Sequence, residues 1–491
     1  MGSVFGYVIS PSYGMDTDIE QKKRQELKAR IKGKSHQNTI SSLPSLEHRI
    51  KRKNQEERLE PTLRKSVQVL MDPYVDHHPL LLAVLWIKAA EQGNFSGLYN
   101  VGWLMRYQEE NSCVNLIVGQ TKNKHKEELL QTSGALYWWQ RAQNHNDYEA
   151  WCELGKLYLK GRSVAQDYSE AMHQFRKASD QNHAEAQKGM GVLYYYGYGV
   201  EQDKAKAMEW FLRSAHQNHS SAQYNVGVGY ANGEGVEQDF GKALTWYRKA
   251  ADQDHAEAQF AIGVGYGVAQ NYEKALEWYL KAANQNHAHA QYNVGVFFLK
   301  SQQVKCDYTE AMKWFFKATE QNHHEAQCAI GELYYAGKRV KQDYTQALEW
   351  YQKAADQNNV SAQHNMGVCY QKGRGVRQDY KKALEWYLKA ANQNYPRAQL
   401  NIGVLYYWGN GLSQDYTKAL EWFLKAANQN DPKALHNVGV LHEKGKGVKQ
   451  DYGEALKWYR KAEVHGYNYD DYDVDHAEFL LSAQEIWAFA Q

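Results

Sequence analysis

The chain is poor in cysteine, in proline and in long apolar runs, and each shortage removes a class of protein. Its five cysteines among 491 residues, Cys113, Cys152, Cys306, Cys328 and Cys369, form no CxxC pair and share no repeated spacing. That pattern argues against a disulfide scaffold or a structural zinc site and for a reducing compartment. No apolar run approaches the roughly 18 residues that a membrane-spanning helix needs, so no span is expected and the chain reads as soluble. The first sixteen residues lack both a basic and an apolar region, so no secretory signal is expected either. Five of the seven prolines precede residue 80, leaving Pro396 and Pro432 alone in the rest of the chain. Net charge is only +2, but residues 20–65 hold 14 Lys and Arg against 6 Asp and Glu. With few apolar residues per turn, residues 1–70 read as a basic, largely disordered segment.

What is present is a repeat. One slot reads Trp138, Gln174, Trp210, Trp246, Trp278, Trp314, Trp350, Trp386, Trp422 and Trp458, spaced by 36 residues except for a step of 32 between Trp246 and Trp278. A glycine stands 19 residues before most members: Gly155, Gly191, Gly227, Gly295, Gly331, Gly367, Gly403 and Gly439. Gly263 precedes Trp278 by 15, which places a four-residue deletion near 267–271, and Gly102 precedes Trp138 by 36, which places an insertion near 107–133. The deletion should make a local irregularity with less loop surface. About ten two-part units therefore occupy 71–465, followed by an acidic linker and a terminal capping helix over 466–491.

Each unit reads as helix, turn, helix. Ala275, Leu276, Tyr279, Leu280 and Ala283 recur at a spacing that makes one broad apolar face. Asp203, Asp239, Asp307, Asp343, Asp379, Asp415 and Asp451 stand where an N-cap is needed. Eight residues past the Trp slot, Asn182, Asn218, Asp254, Asn286, Asn322, Asn358, Asn394 and Asn430 mark the helix stop, since Asn and Asp tolerate the left-handed conformation. A turn of the form GxGV joins the two helices, as in Gly233 to Val236. One helix pair cannot bury its aromatic residues alone, so the units must stack, with Trp, Tyr and Ala in fixed slots as the shared core. The expected fold is all-α: a right-handed superhelical α-solenoid.

The pattern A.AQYNVGV.Y..G.GV.QDY.KALEWY.KAA.QN resembles the Sel-1-like repeat, a relative of the tetratricopeptide repeat with a longer loop, over about residues 80–465. The resemblance implies a non-catalytic scaffold or adaptor whose concave face holds segments of partner proteins. The alternative it implies is a regulatory or activator subunit of an enzyme complex, as in cell-wall synthesis or protein quality control. Three features depart from the family. The helix stop is mostly Asn where relatives often have Gly, the unit near 260–272 lacks the GxG turn, and residues 301–304 read SQQV. The cysteine pairs of the family's disulfide-bonded branch are absent, so the β-lactam activity attributed to that branch is not carried over.

No phosphate-binding loop, HExxH, GxSxG or kinase signature is present, so no enzyme activity and no cofactor is expected. His183, His219, His255, His287 and His323 recur with the repeat, and Asn359, Tyr395 and Asp431 replace them in later units. A helix-boundary role explains that substitution better than a metal. Asp471, Asp473 and Asp475 open a calcium-loop pattern that fails at His476 and Ser482. The expected partners are other proteins or extended peptides. The basic N-terminal segment leaves room for nuclear import or a weak polyanion contact in an otherwise cytoplasmic protein, but its few aromatics argue against nucleic-acid binding.

Candidate partner-binding residues come from two adjacent slots. Asn100, Asn225, Asn293, Asn365, Asn401 and Asn437 form a ladder two residues before the repeated glycine. In a related tetratricopeptide array that slot faces the groove and bonds to a peptide backbone; alternatively these side chains bridge neighbouring helices. One residue earlier the slot varies freely, with Tyr224, Phe260, Tyr292 and His364 among its occupants. A slot that varies while its neighbours are fixed does not specify the stack, and is open to specify a ligand.

Overall fold

The structure, a computed structural model, describes residues 134–143, 147–161, 164–300, 307–337 and 340–467. The basic N-terminal segment, Asn100, the 107–133 insertion and the 468–491 tail lie outside the described residues. Those residues form nineteen helices and no strand. They belong to two compact units, one ending at Ala275 and the other starting at Leu276. In the first unit lie α1 (Gly134–Gln143), α2 (Tyr148–Lys160), α3 (Tyr168–Asp180), α4 (Ala184–Tyr196), α5 (Lys204–His216), α6 (Ser220–Asn232), α7 (Phe240–Ala251) and α8 (Ala256–Val268), and α9 (Tyr272–Asn284) begins there. The second unit holds α10 (Ala288–Lys300), α11 (Tyr308–Thr319), α12 (His324–Ala336), α13 (Tyr344–Asp356), α14 (Val360–Lys372), α15 (Tyr380–Asn392), α16 (Pro396–Trp408), α17 (Tyr416–Ala427), α18 (Pro432–Lys444) and α19 (Tyr452–Val464). Consecutive helices pack on one another from α1 to α8, and again from α10 to α19.

The local grammar of the sequence accounts for these boundaries. Asp203 and Asp415 accept hydrogen bonds at 2.9 Å from the amides of Lys206 and Lys418, satisfying a first-turn donor that would otherwise face only water. The second helices stop at residues with positive φ, from 58° at Asn182 to 68° at Asn286. The recurring histidines prove to be N-caps: Nδ1 of His183, His219, His255, His287 and His323 accepts the amide of Ala186, Ala222, Ala258, Ala290 and Ala326 respectively.

Of the Trp, Tyr and Ala expected in the core, the alanines and the aromatic after the Trp fill it, and most of the tryptophans do not. The ring buried between paired helices is the residue after the Trp slot: Phe175, Phe211 and Tyr247 in the first unit, and Phe315, Tyr351, Tyr387, Phe423 and Tyr459 in the second. Each ring lies against the repeated glycine of its partner helix. At Gly403, for example, a Cβ would come within 2.5 Å of the Phe423 ring. Most tryptophans stay half-buried at the edge of the pair. The ammonium of the lysine three residues on lies over their indoles, at 3.7 Å for Lys389 on Trp386 and 3.8 Å for Lys425 on Trp422. One helical step separates the two slots, and the inner one is the one facing the glycine.

Stacking also has a polar device. Gln217 Nε2 reaches Gln187 Oε1 at 2.6 Å and Asn182 Oδ1 at 3.2 Å, while Gln187 donates to the same Asn182 oxygen at 3.0 Å. Equivalent triads join Asn218, Gln223 and Gln253 in the first unit. In the second unit they join Asn286, Gln291 and Gln321, and then Asn322, Gln327 and Gln357. The helix-stop Asn thus turns the chain and accepts from the next repeat.

Candidate partner-binding face

The two candidate slots lie on the first helix of each pair, and their neighbours decide what each can do. In the first unit Tyr224 is buried, its ring stacked on His255 with centroids 5.1 Å apart and leaning on Tyr247 at 5.7 Å. Burial pushes its hydroxyl well above the usual tyrosine range. Asn225 is 2% exposed, and its Oδ1 has no hydrogen-bond partner among the described residues. Phe260 is half-buried. One turn away the same face carries charge. Glu185 takes Lys188 Nζ at 2.8 Å, Lys156 Nζ at 3.4 Å and the Nε2–H of His219 at 2.6 Å. Burial alone would raise its carboxyl, but the two ammonium groups and His219 outweigh it and hold the group well below the usual carboxylate range. The neighbouring Cys152 thiol is buried and pushed up, chiefly by desolvation.

In the second unit the slots form a connected network. Asn401 Nδ2 donates to His364 Nε2 at 3.1 Å, His364 Nδ1 meets Asn365 Oδ1 at 3.2 Å, and Asn365 Nδ2 points at Cys328 Sγ at 4.0 Å. This chain of contacts links α12, α14 and α16. Burial pushes His364 down to about 4, so the ring is neutral at neutral pH, as its two partners require. Tyr292 is half-buried and stacks on His323, centroids 5.2 Å apart, and His323 Nε2 donates in turn to His289 Nδ1 at 2.8 Å. Asn293 is half-buried. Asn437 is buried with its Nδ2 unpartnered among the described residues, beside the buried His436, which stacks on Tyr467 at 4.4 Å.

The sequence-predicted residues therefore fall into three kinds. Asn365, Asn401 and His364 bond between helices while keeping part of their surface open. Tyr224, Asn225 and Asn437 are buried. Phe260, Tyr292 and Asn293 stay half-buried, and Asn100 lies outside the described residues. Sequence reasoning missed Glu185 and His289, whose only signal was polar residues at a slot that elsewhere holds Ser221 or Arg397, whereas Lys188 stands in the variable slot with Tyr224. Among the described residues no group of three or more His, Cys, Asp or Glu is arranged to hold a metal ion, and no helix is long and apolar enough to cross a membrane.

Comparison with known proteins places this geometry in a family. The Sel1 repeat matches nine consecutive segments, beginning at 149–183 and ending at 432–463. The chain belongs to the Sel1 repeat family. Among solved structures it is similar to c5321, a protective antigen present in uropathogenic Escherichia coli strains displaying an SLR fold, at 32% identity and a TM-score of 0.60, over 77% of this chain and 79% of that one. It is also similar to a Sel1 repeat protein from Oxalobacter formigenes, at 27% identity and a TM-score of 0.36, over 71% of this chain and 92% of the other. No curated protein sequence matches it. The nine Sel1 repeats coincide with the helix pairs, each opening at the first helix and closing at the following stop. The Sel1 repeat fold commonly mediates protein–protein interaction, and solenoids of the family are typically non-catalytic scaffolds.

Proposed function

We propose that the protein is a non-catalytic scaffold of the cytoplasm. The first-helix face of its Sel1 repeats takes an extended segment of a partner protein on the concave side of the stack. The array would occupy 71–465, flanked by a basic N-terminal segment and a short C-terminal cap. One observation carries the reading. In the second unit Tyr292, Asn293, His364, Asn365 and Asn401 sit on helices that are already packed, yet each keeps open surface. Side chains needed only for stacking are closed off, as Phe423 and the repeated alanines are. A row of amide and aromatic groups on a rigid support offers an extended backbone hydrogen bonds at little ordering cost.

Photo-crosslinking tests this directly. A benzoylphenylalanine replacing Tyr292 should capture a defined polypeptide from cell extract, while the same probe at the exposed Glu349 on α13 should not. Capture at Glu349 with none at Tyr292 would move the binding surface to the second helices and refute the proposal.

A further inference from the structure

The shortened connection after α8 leaves a place unfilled among the described residues that five other repeats fill with their own turn. In those repeats the second glycine of the GxGV turn lies on the start of the preceding second helix. A Cβ on Gly199 would come 2.8 Å from Tyr168 Cβ, one on Gly411 2.5 Å from Tyr380 Cβ, and one on Gly447 2.5 Å from the Tyr416 backbone. Gly235 and Gly375 press equally on Lys204 and Tyr344. The aliphatic residue that follows packs down beside it, as Val200 and Val236 do against the first unit's core and Val376 and Leu412 do in the second. The helix-start side chains beneath are half-buried as a result.

At α7 the cover is missing. Aligned on Gly227 and Gly263, the four absent residues correspond to Glu234, Gly235, Val236 and Glu237. The chain instead closes tightly: Asn271 N bonds to Tyr266 O at 2.9 Å, Gln270 turns at φ 57°, and Asn271 Oδ1 takes over the N-cap by accepting Lys274 N at 3.2 Å. Phe240, at the start of α7, is 66% exposed, and Val268, at the end of α8, is 47% exposed. Gly265 completes the notch. Its counterpart Gly229 would meet Met208 Sδ at 2.9 Å and the turn carbonyl of Glu234 at 3.4 Å, whereas among the described residues a Cβ at Gly265 meets nothing within 4 Å. Because α7 and α8 are consecutive packed helices joined by a short link, the start of one lies beside the end of the other. The residue exposed there is Phe, where most repeats have Tyr, so the uncovered ring has no hydroxyl to offer water.

We infer that the notch of Phe240, Gly265 and Val268 is a docking site for a Gly-x-Gly-Val turn supplied by a partner polypeptide. The other repeats define the occupant's chemistry. Two glycines are needed because the second must touch backbone and both take positive φ, as Gly233 and Gly235 do at 71° and 73°. A branched aliphatic residue must follow, to cover the ring. Burying an exposed Phe and Val against such a turn removes apolar surface from water without requiring any new charge pairing. The notch uses none of the residues proposed to hold an extended segment, so either reading can fail alone.

The test uses the full chain with labelled Val268 methyl groups and a cyclised peptide carrying the sequence of residues 231–239. A saturable Val268 shift is expected, with a dissociation constant of roughly 1 mM or tighter. A control peptide with both glycines replaced by alanine should give none. Phe240→Lys, at an exposed position, should weaken binding at least tenfold, and so should insertion of Glu-Gly-Val-Glu between Ala269 and Gln270, which restores the cover in cis. Asn293→Ala should leave the shift intact. Absence of a saturable shift, equal binding by the alanine peptide, or undiminished binding in either notch variant overturns the proposal.

Discussion

A histidine caps a helix only while one ring nitrogen lacks a proton, and His323 is committed to that state on both sides. Its Nδ1 accepts Ala326 N at 3.3 Å and its Nε2 donates to His289 at 2.8 Å. Burial pushes its pKa down to about 3, and His289, His324 and His287 add to the effect. Glu325 Oε2, 3.4 Å from Nδ1, is the anion facing it. A pKa below the unfolded value means that the folded state binds fewer protons. This group's stabilisation is therefore complete above about pH 6.5 and is lost as pH falls toward the folded value, by about 1.4 kcal/mol per pH unit. Asn359 fills the same slot one repeat later, accepting Ala362 N at 2.8 Å with no titrating ring. His323→Asn should keep the cap, lose the ring stack on Tyr292 at about 0.5–1.5 kcal/mol, and flatten the acid limb by about one proton's worth. Thermal melts from pH 7 to 4 check this, and parallel curves for parent and variant would refute it. The boundary role of this histidine was legible because Asn359, Tyr395 and Asp431 replace it. Its bond to His289 was not, since the two stand 34 residues apart and meet only once the repeats stack.

At the scale of the helix, two glycines with the same sequence appearance have opposite meanings. Gly403 faces the Phe423 ring, and an added Cβ would come within 2.5 Å of it. Gly265 faces no described residue within 4 Å of an added Cβ and has no positive φ. Gly403→Ala forces a closely packed pair apart and should cost about 1–3 kcal/mol. Gly265→Ala gains helix propensity and should stabilise by up to about 1 kcal/mol. Chemical denaturation of both variants gives the comparison, and destabilisation by both would mean that the notch at Gly265 is closed in solution. Helix order, caps and stops could be read from the sequence because each rests on one residue's backbone preference. The expected core held both the Trp and the aromatic after it, and did not separate them. Both are large, both recur every 36 residues, and only the direction of the facing helix separates the buried Phe423 from the half-buried Trp422. The Gln–Asn triads were equally hidden, because polar residues in a helix stop read as solvent-facing until the next repeat supplies their partners.

At the scale of the whole molecule, within each unit and among the described residues, each Sel1 repeat touches its neighbours and little else, so stability and binding are set by different residues on the same helices. That separates two roles for the Asn ladder which the sequence left open. Asn365 and Asn401 are tied to Cys328 and His364 across adjacent helices, and their loss leaves a largely buried imidazole unpaired. Asn365→Ala with Asn401→Ala should therefore destabilise, by about 1–3 kcal/mol, so that affinity falls both as the array loosens and through the lost amide surface. Asn293 stands in the same slot with surface open, so Asn293→Ala should barely shift the melting temperature. If an extended partner segment binds there, the same change removes a hydrogen bond to it and lowers affinity by about 0.5–1.5 kcal/mol, up to roughly tenfold. Asn225, buried with an unpartnered Oδ1, gives a third case. Its replacement by Leu removes an amide whose oxygen bonds to nothing among the described residues, and should not weaken binding of a segment that never reaches it. Melting temperature and the affinity for a partner captured at Tyr292, measured on one preparation of each variant, decide the assignment. Loss of affinity in Asn225→Leu with none in Asn293→Ala would place the contact at the buried end of the ladder and reverse the reading.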